Sequence, residues 1–358
     1  MTIRVFPFSE ADVGTYSADY WAAYVHSLFG VSSTYPNRGV VIDVGSELLV
    51  SSPASGRAVD VAAGAALVGG RMFHNDASTS VSLSANTSGN PRFDLICARW
   101  VAATQTASFF AVEGTPAATP AVPSPTQTST DYMIPLAAVY LVSGYSSVNT
   151  GYVVDLREWV GAGEIKVGFL QDYAGNTDDD SPVGWLYSNG ETIGASNSGA
   201  TGFAVSGQAY RLFARLWNQY ANTELAIQDS AGSASTRGSS ALIDFIAQKR
   251  MPLPDLRGRT TAGYDNQGTA SGANRITASW ADTPGGTGGA ETHTLVIGEI
   301  PAHNHGGITG LSGAGTSQFA GGGASGSAAA SSQGSGTAHN NLQPTMAVAK
   351  LIRWKGNS

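Results

Sequence analysis

A mainly β protein is predicted by three features of this 358-residue sequence. Glycine fills 45 positions and charged residues only 13% of the chain, where ordinary domains hold about 7% and about 25%. That balance favours turns and close backbone packing. Short apolar runs recur between Gly, Pro, Asn and Asp at the spacing of a sandwich or barrel, not of helices alternating with a parallel sheet. Pro116, Pro120, Pro123 and Pro125 keep helix and central strand out of a long segment between runs. The expected architecture is an N-terminal β-sandwich-like module with one short helix over 1–160, a linker over 161–182, and a C-terminal α+β domain over 183–358.

Along the first module, Ser17 is placed to cap a helix whose Trp21, Tyr24, Val25 and Leu28 form an i, i+3, i+4, i+7 stripe beside Tyr20, with Gly30 ending it. Strands are expected at Val40 to Val44, Glu47 to Val50, Ala58 to Ala62, Ala65 to Val68, Val81 to Leu83, Phe93 to Val101, Ala107 to Val112 and Pro135 to Val142. Gly114 to Thr130 is a loop, and the module closes near Trp159-Val160. In the linker, Gly161-Ala162-Gly163 and Gly175 to Pro182 are rich in turn residues; Asp178-Asp179-Asp180 lacks the spaced ligands and following glycine of a calcium loop.

The second half opens with a strand, an Asn189-Gly190 turn and another strand, the sequence pattern of a hairpin. Ser206 then caps a helix with Tyr210, Phe213, Leu216, Trp217 and Tyr220 on one side. Leu242, Ile243, Phe245 and Ile246 fit either a helix or a strand, and Ala347 to Trp354 is a closing apolar strand. Between them, Gly306 to Ala338 holds 11 Gly, 7 Ser and 7 Ala in 33 residues without a charge, too little apolar surface for a core of its own. Such a stretch is either disordered or held by neighbouring copies of the chain.

A net charge of −7 and a pI near 5.3, without a run of Lys or Arg, argue against nucleic acid or an anionic membrane as partner. No apolar stretch reaches the ~18 residues that span a bilayer, so a soluble protein without membrane insertion is expected. The first residues lack the basic patch and apolar core of a secretory signal. The single cysteine, Cys97, lies in an apolar run and reads as a small buried hydrophobe. Nucleophile elbow, phosphate loop, zincin helix and paired cysteines are all missing, so no enzyme activity is expected.

Six motifs in series carry a resemblance. They are Gly184-Trp185 with Asn189-Gly190, the helix of Tyr210, Leu212 and Phe213, Leu253-Pro254-Asp255-Leu256-Arg257-Gly258-Arg259, Glu291-Thr292-His293-Thr294-Leu295, Pro301-Ala302-His303-Asn304-His305, and His339-Asn340-Asn341-Leu342-Gln343-Pro344. Together, over Val183 to Trp354, they resemble the phage tail-collar domain. Residues Ala221 to Lys249 exceed the family's compact pattern, and Thr260-Thr261 stands where an aromatic is common. The first half more loosely resembles siphophage-type baseplate or tail-fibre attachment modules, through Val59 to Val68, Asn90-Pro91-Arg92-Phe93-Asp94 and Asp155-Leu156-Arg157.

The resemblance implies an intertwined homotrimer in the virion tail, docked through its N-terminal module on baseplate or tail-tip proteins. Its C-terminal tip, the insert 306–338, would meet a host surface glycan or envelope protein, with Ile308, Leu311 and Phe319 as contact residues. Host recognition and adhesion is the expected function. The alternatives are a purely structural collar or baseplate component binding other virion proteins, and a glycan depolymerase.

His303 and His305 are two apart, so on an extended backbone both imidazoles point to one side. Three chains about an axis would then gather six nitrogens, an octahedral set that favours iron over four-coordinate zinc. The resemblance implies such an axial metal, iron or zinc, with His339 as a further ligand or as a partner orienting one. His293 is expected to make a local hydrogen bond, and His26 and His74 to be structural. Arg257 and Arg259 beside Asp255 read as an ion-pair cluster with a structural or intersubunit role.

Overall fold

A computed structural model describes residues 39–41, 44–69, 71–128, 130–160, 166–175, 182–202, 208–268, 272–301 and 336–355. The expected helix at 17–28 lies outside them, as do His26, the cap Ser206 and Asp178 to Asp180. The protein is mainly β, and among the described residues no helix is long and apolar enough to cross a membrane. It divides into two units, Met1–Gly286 with Val348–Ser358, and Thr287–Ala347.

Eleven strands are described up to residue 160: β1 (Gly39–Val41), β2 (Val50–Ser51), β3 (Ala58–Val61), β4 (Gly64–Val68), β5 (Arg71–Asn75), β6 (Thr79–Ser82), β7 (Arg92–Val101), β8 (Thr106–Val112), β9 (Asp131–Leu141), β10 (Val153–Asp155) and β11 (Trp159–Val160). They form three sheets, in the orders β11-β1-β4-β5, β10-β9-β7-β8 and β2-β3-β6. Residues 44–48 turn where a strand was expected to begin, and β5 arises from a run in which only Phe73 is buried. Too few apolar residues marked β5 as a strand. Gly114 to Thr126 stays outside the strands, as its prolines require. Pro135 does lie in the inner strand β9, at the register shift where Ile96 faces Ala137 and Cys97 faces Pro135. A bulge is where an inner strand tolerates the lost donor.

The first unit continues with β12 (Leu170–Tyr173), β13 (Trp185–Tyr187), β14 (Thr192–Gly194), α1 (Tyr210–Gln219), α2 (Ala241–Ile246) and β15 (Arg250–Pro252). The second unit holds β16 (Thr292–His293) and β17 (His339–Asn340), and β18 (Ala349–Arg353) returns to the first. Residues 161–182, expected as a linker, thus contribute a strand. β12 and β13 both pair with β18, while β14 pairs with β15. The strands flanking Asn189-Gly190 therefore do not form a hairpin with each other. Asn189 accepts the Glu191 amide at 3.1 Å and Gly190 takes φ +80°, a local turn that passes the chain from one sheet to another. Gly184, also at φ +80°, disfavours a side chain, since a Cβ would lie 2.9 Å from the Lys355 Cβ.

Two apolar cores lie on opposite faces of the sheet β10-β9-β7-β8. Ile96, Ala98, Ile134, Leu136 and Val139 enter the core shared with β1 to β6. Phe93, Ala138 and Val154 enter a second core with Ile193, Leu212, Phe213, Leu216, Phe245 and Ile352. Alternation along β7 sends one set each way, so β7 is buried from Arg92 to Ala98 on both faces. The helix α1 buries Leu212, Phe213 and Leu216, and α2 starts at Ser240, whose side chain accepts the Ile243 amide. Buried Asp244 joins the two helices, accepting from Trp217 Nε1 at 2.8 Å and pairing with Lys249 at 2.7 Å.

A charged cluster closes the unit. Arg157 Nε and Nη2 donate to the Asp155 carboxylate at 2.9 and 2.8 Å, and Nη1 donates to the Glu47 carbonyl at 2.7 Å. The guanidinium lies 4.6 Å from the Trp159 ring centroid, and Lys355 Nζ lies 4.5 Å from the same centroid. Lys355 also pairs with the Glu47 carboxylate at 2.5 Å. Parallel pairing of β1 with β11, Val40 facing Trp159, brings these segments together.

The triplet recurs as Asp255-Leu256-Arg257 with the same fork, 2.9 and 2.7 Å. There, however, the arginine is 71% and the aspartate 45% exposed, against 1% and 6% at Arg157 and Asp155. Hydrogen bonds from Arg257 pull the Asp255 carboxyl down from 3.8 to about 2. Its contribution to stability is present above pH 3.8 and lost as the pH falls through about 2, and solvent screening keeps it small.

Asp155→Asn leaves Arg157 buried without its counter-charge and is expected to cost ~3–5 kcal/mol in urea denaturation, whereas Asp255→Asn should leave the midpoint almost unmoved; equal effects would contradict the assignment. Burial pushes the Cys97 thiol up to about 12, so thiol reagents are expected to label it only after unfolding.

Candidate functional site

A groove of about 620 Å³ lies in the first unit between the edge strands β5, β6 and β8. Its lining includes Phe73, Asn75 and Phe110, and its one titratable side chain is His74, which is exposed. A groove so lined lacks the carboxylate pair of glycan hydrolysis.

The chemistry that the sequence points to lies in the second unit. His303, His305, Ile308, Leu311 and Phe319 fall outside the described residues. His339 is described, on β17, directly opposite His293 of β16. The pair is held at Thr292 and Asn340, and beyond it the Asn341 amide donates to the Glu291 carbonyl at 2.8 Å. Asn340 Oδ1 accepts the Leu342 amide at 2.7 Å and turns the chain out of β17.

After β16 the chain makes a short 3-10 turn, Ile297–Glu299. Glu299 Oε2 accepts the Val296 amide at 2.9 Å, capping the turn, and accepts His293 Nε2 at 2.7 Å. One carboxylate oxygen thus ties the turn to the strand. The Val296 amide, then His293, then the charge of His339 hold the Glu299 carboxyl below its ordinary 4.5. The rings of His293 and His339 stand edge to face, centroids 6.0 Å apart.

The local hydrogen bond expected of His293 is present. Its acceptor Glu299 was not among the residues the sequence singled out, because a carboxylate six positions away carries no spacing signal until the 3-10 turn folds it back. Among the described residues no three His, Cys, Asp or Glu side chains are arranged to hold a metal ion. Tested against an axial metal, the described donors offer two imidazoles, one of them oriented by a carboxylate.

Apolar exposure is the second feature of this unit. Leu295 (54%), Val296 (58%), Ile297 (91%), Ile300 (44%), Leu342 (57%) and Met346 (80%) are all exposed. Of its described residues only His293 is even half-buried. A two-stranded ribbon without a core is marginal in water.

In an NMR titration the Glu299 carboxyl is expected to have its midpoint below 4.5, moving partly back in His293→Ala. The tie between turn and strand is then present above pH 4.5 and lost as the pH falls through that lowered midpoint. A midpoint at or above 4.5 would show that the carboxylate is not held.

No protein-family model matches this chain, and no curated protein matches it.

Proposed function

We propose that this protein is a phage tail fibre or tail-tip protein, a homotrimer that attaches to the virion through its N-terminal half and adheres to the host surface through its C-terminal tip. The observation that carries this reading is the second unit. Six large apolar side chains lie bare on the two segments that flank a 33-residue, charge-free, glycine-rich insert. That insert has only Ile308, Leu311 and Phe319 as large apolar residues, too few to cover six others. Neighbouring copies supply the missing cover, and the ordered series of six tail-collar motifs points to the same assembly.

Three copies bring three tips to one surface. Weak contacts acting together raise avidity by ~10²–10⁴ over one contact, so no single tip needs a deep pocket. His303 and His305, just ahead of the insert in sequence, would hold an axial iron or zinc in such a trimer. Backbone amides of the glycine-rich insert can approach a glycan or protein closely.

The same exposed surface also supports a structural role, in which the insert is buried against other virion proteins. Native mass measurement and host-envelope binding separate the two. Adhesion predicts a trimer that binds host envelopes and loses binding, but not trimerisation, on deletion of 306–338. A trimer that enters virions yet never binds envelopes favours the structural role, and a monomer overturns both.

A further inference from the structure

Beyond adhesion, and independent of it, the second unit carries a ligand arrangement of its own. His293 and His339 face each other across β16 and β17 in direct register. Each has one ring nitrogen engaged by a group that can only accept. His293 Nε2 is 2.7 Å from the Glu299 carboxylate, and His339 Nδ1 is 3.4 Å from the Asn340 carbonyl. Neither acceptor carries a proton, so in the neutral imidazoles the proton sits on Nε2 of His293 and on Nδ1 of His339. The lone pairs are left on Nδ1 of His293 and Nε2 of His339.

Metal-ligating histidines share this second-nitrogen bond, which almost always goes to a carboxylate, backbone carbonyl or water. Two imidazoles bound at ~2.0–2.1 Å to one ion at the tetrahedral angle have their centroids about 5 Å apart; here the separation is 6.0 Å with the ring planes at 82°, so an ion would draw the rings about 1 Å closer.

We propose that His293 and His339 form a cross-strand clip for a divalent late transition metal ion, with Glu299 as the positioning residue for His293. Imidazole pairs suit zinc, nickel and copper, and the hard cations magnesium and calcium, which take oxygen ligands, are not expected to bind. Two protein ligands make a site of modest affinity that water completes. What it fastens is the base of a long excursion: residues 294–338 leave from one ligand strand and return to the other. Metal binding to the paired strands alone stabilises the pairing by mass action, so the ion acts as a removable staple at the root of the tip, distinct from His303 and His305.

The test titrates ZnCl₂ into the metal-stripped full-length chain, following heat by calorimetry and hydrogen exchange at the Asn341 amide, whose bond to Glu291 closes the ribbon. Zinc should bind and slow exchange at Asn341, by ~100-fold at a concentration 100 times the Kd if exchange proceeds through opening of the ribbon. His293→Ala or His339→Ala should each abolish that protection, and Glu299→Gln should weaken binding by ~10–100-fold. The titrations are run in the His303→Ala, His305→Ala background, so that an axial site at those residues contributes neither heat nor protection.

Since the alanine variants could open the ribbon by themselves, His293→Cys is the rescue. Cysteine is a zinc ligand, and zinc should restore slow exchange there. In the His303→Ala, His305→Ala background, no binding, or binding and protection unchanged in His293→Ala and His339→Ala, would each overturn the clip. None of these outcomes bears on host adhesion, which is read separately from envelope binding.

Discussion

The first unit depends on one constraint: the sheet β10-β9-β7-β8 is apolar on both faces. A sheet with one wet face can end a domain, but one with two dry faces must be covered twice. Strands β1 to β6 cover one side through Ile96, Leu136 and Val139. The other side, with Phe93, Ala138 and Val154, is covered by residues from 193 to 352, among them Leu212, Phe213 and Phe245. The two halves of the chain therefore share a core, and the composition break at 161–182 is not a break in packing.

The cluster at Trp159 acts on the same junction. Asp155 and Arg157 stand at the end of β10, Glu47 precedes β2, and Lys355 follows the final strand β18, so one aromatic ring meets cations from distant parts of the chain. Burial turns a local triplet into a long-range tie: Arg157, fixed by its own aspartate, has Nη1 left to hold the Glu47 carbonyl. Asp255-Leu256-Arg257 has the same internal geometry in solvent. Identical local chemistry thus has unequal weight, because a charge deprived of its partner is costly only where water cannot replace it.

The second unit inverts this logic. Its described part is organised by hydrogen bonds around Glu299 and not by burial, while its apolar side chains face outward. Under the proposed function such a segment is completed from outside, by other copies and by an ion, and neighbours supply the core that it does not build for itself.

Periodicity and turn chemistry made most elements legible from sequence: the long strands β7, β8 and β9, the helix of Tyr210 and Phe213, the closing strand to Trp354, and the proline-rich loop. Period-two alternation and proline geometry are local, so they survive without tertiary context. Pairing was not legible. Asn189-Gly190 has hairpin chemistry, yet its flanking strands join β18 and β15, because strand partners are chosen by burial across the whole unit. In the candidate site, the sequence by itself marked His339 as a ligand or as a partner orienting one, and His293 as a hydrogen-bonding residue. Only the tertiary structure set them opposite each other and brought Glu299 to one of them, since a two-residue strand pair across a 45-residue connection has no signature in the order of its residues.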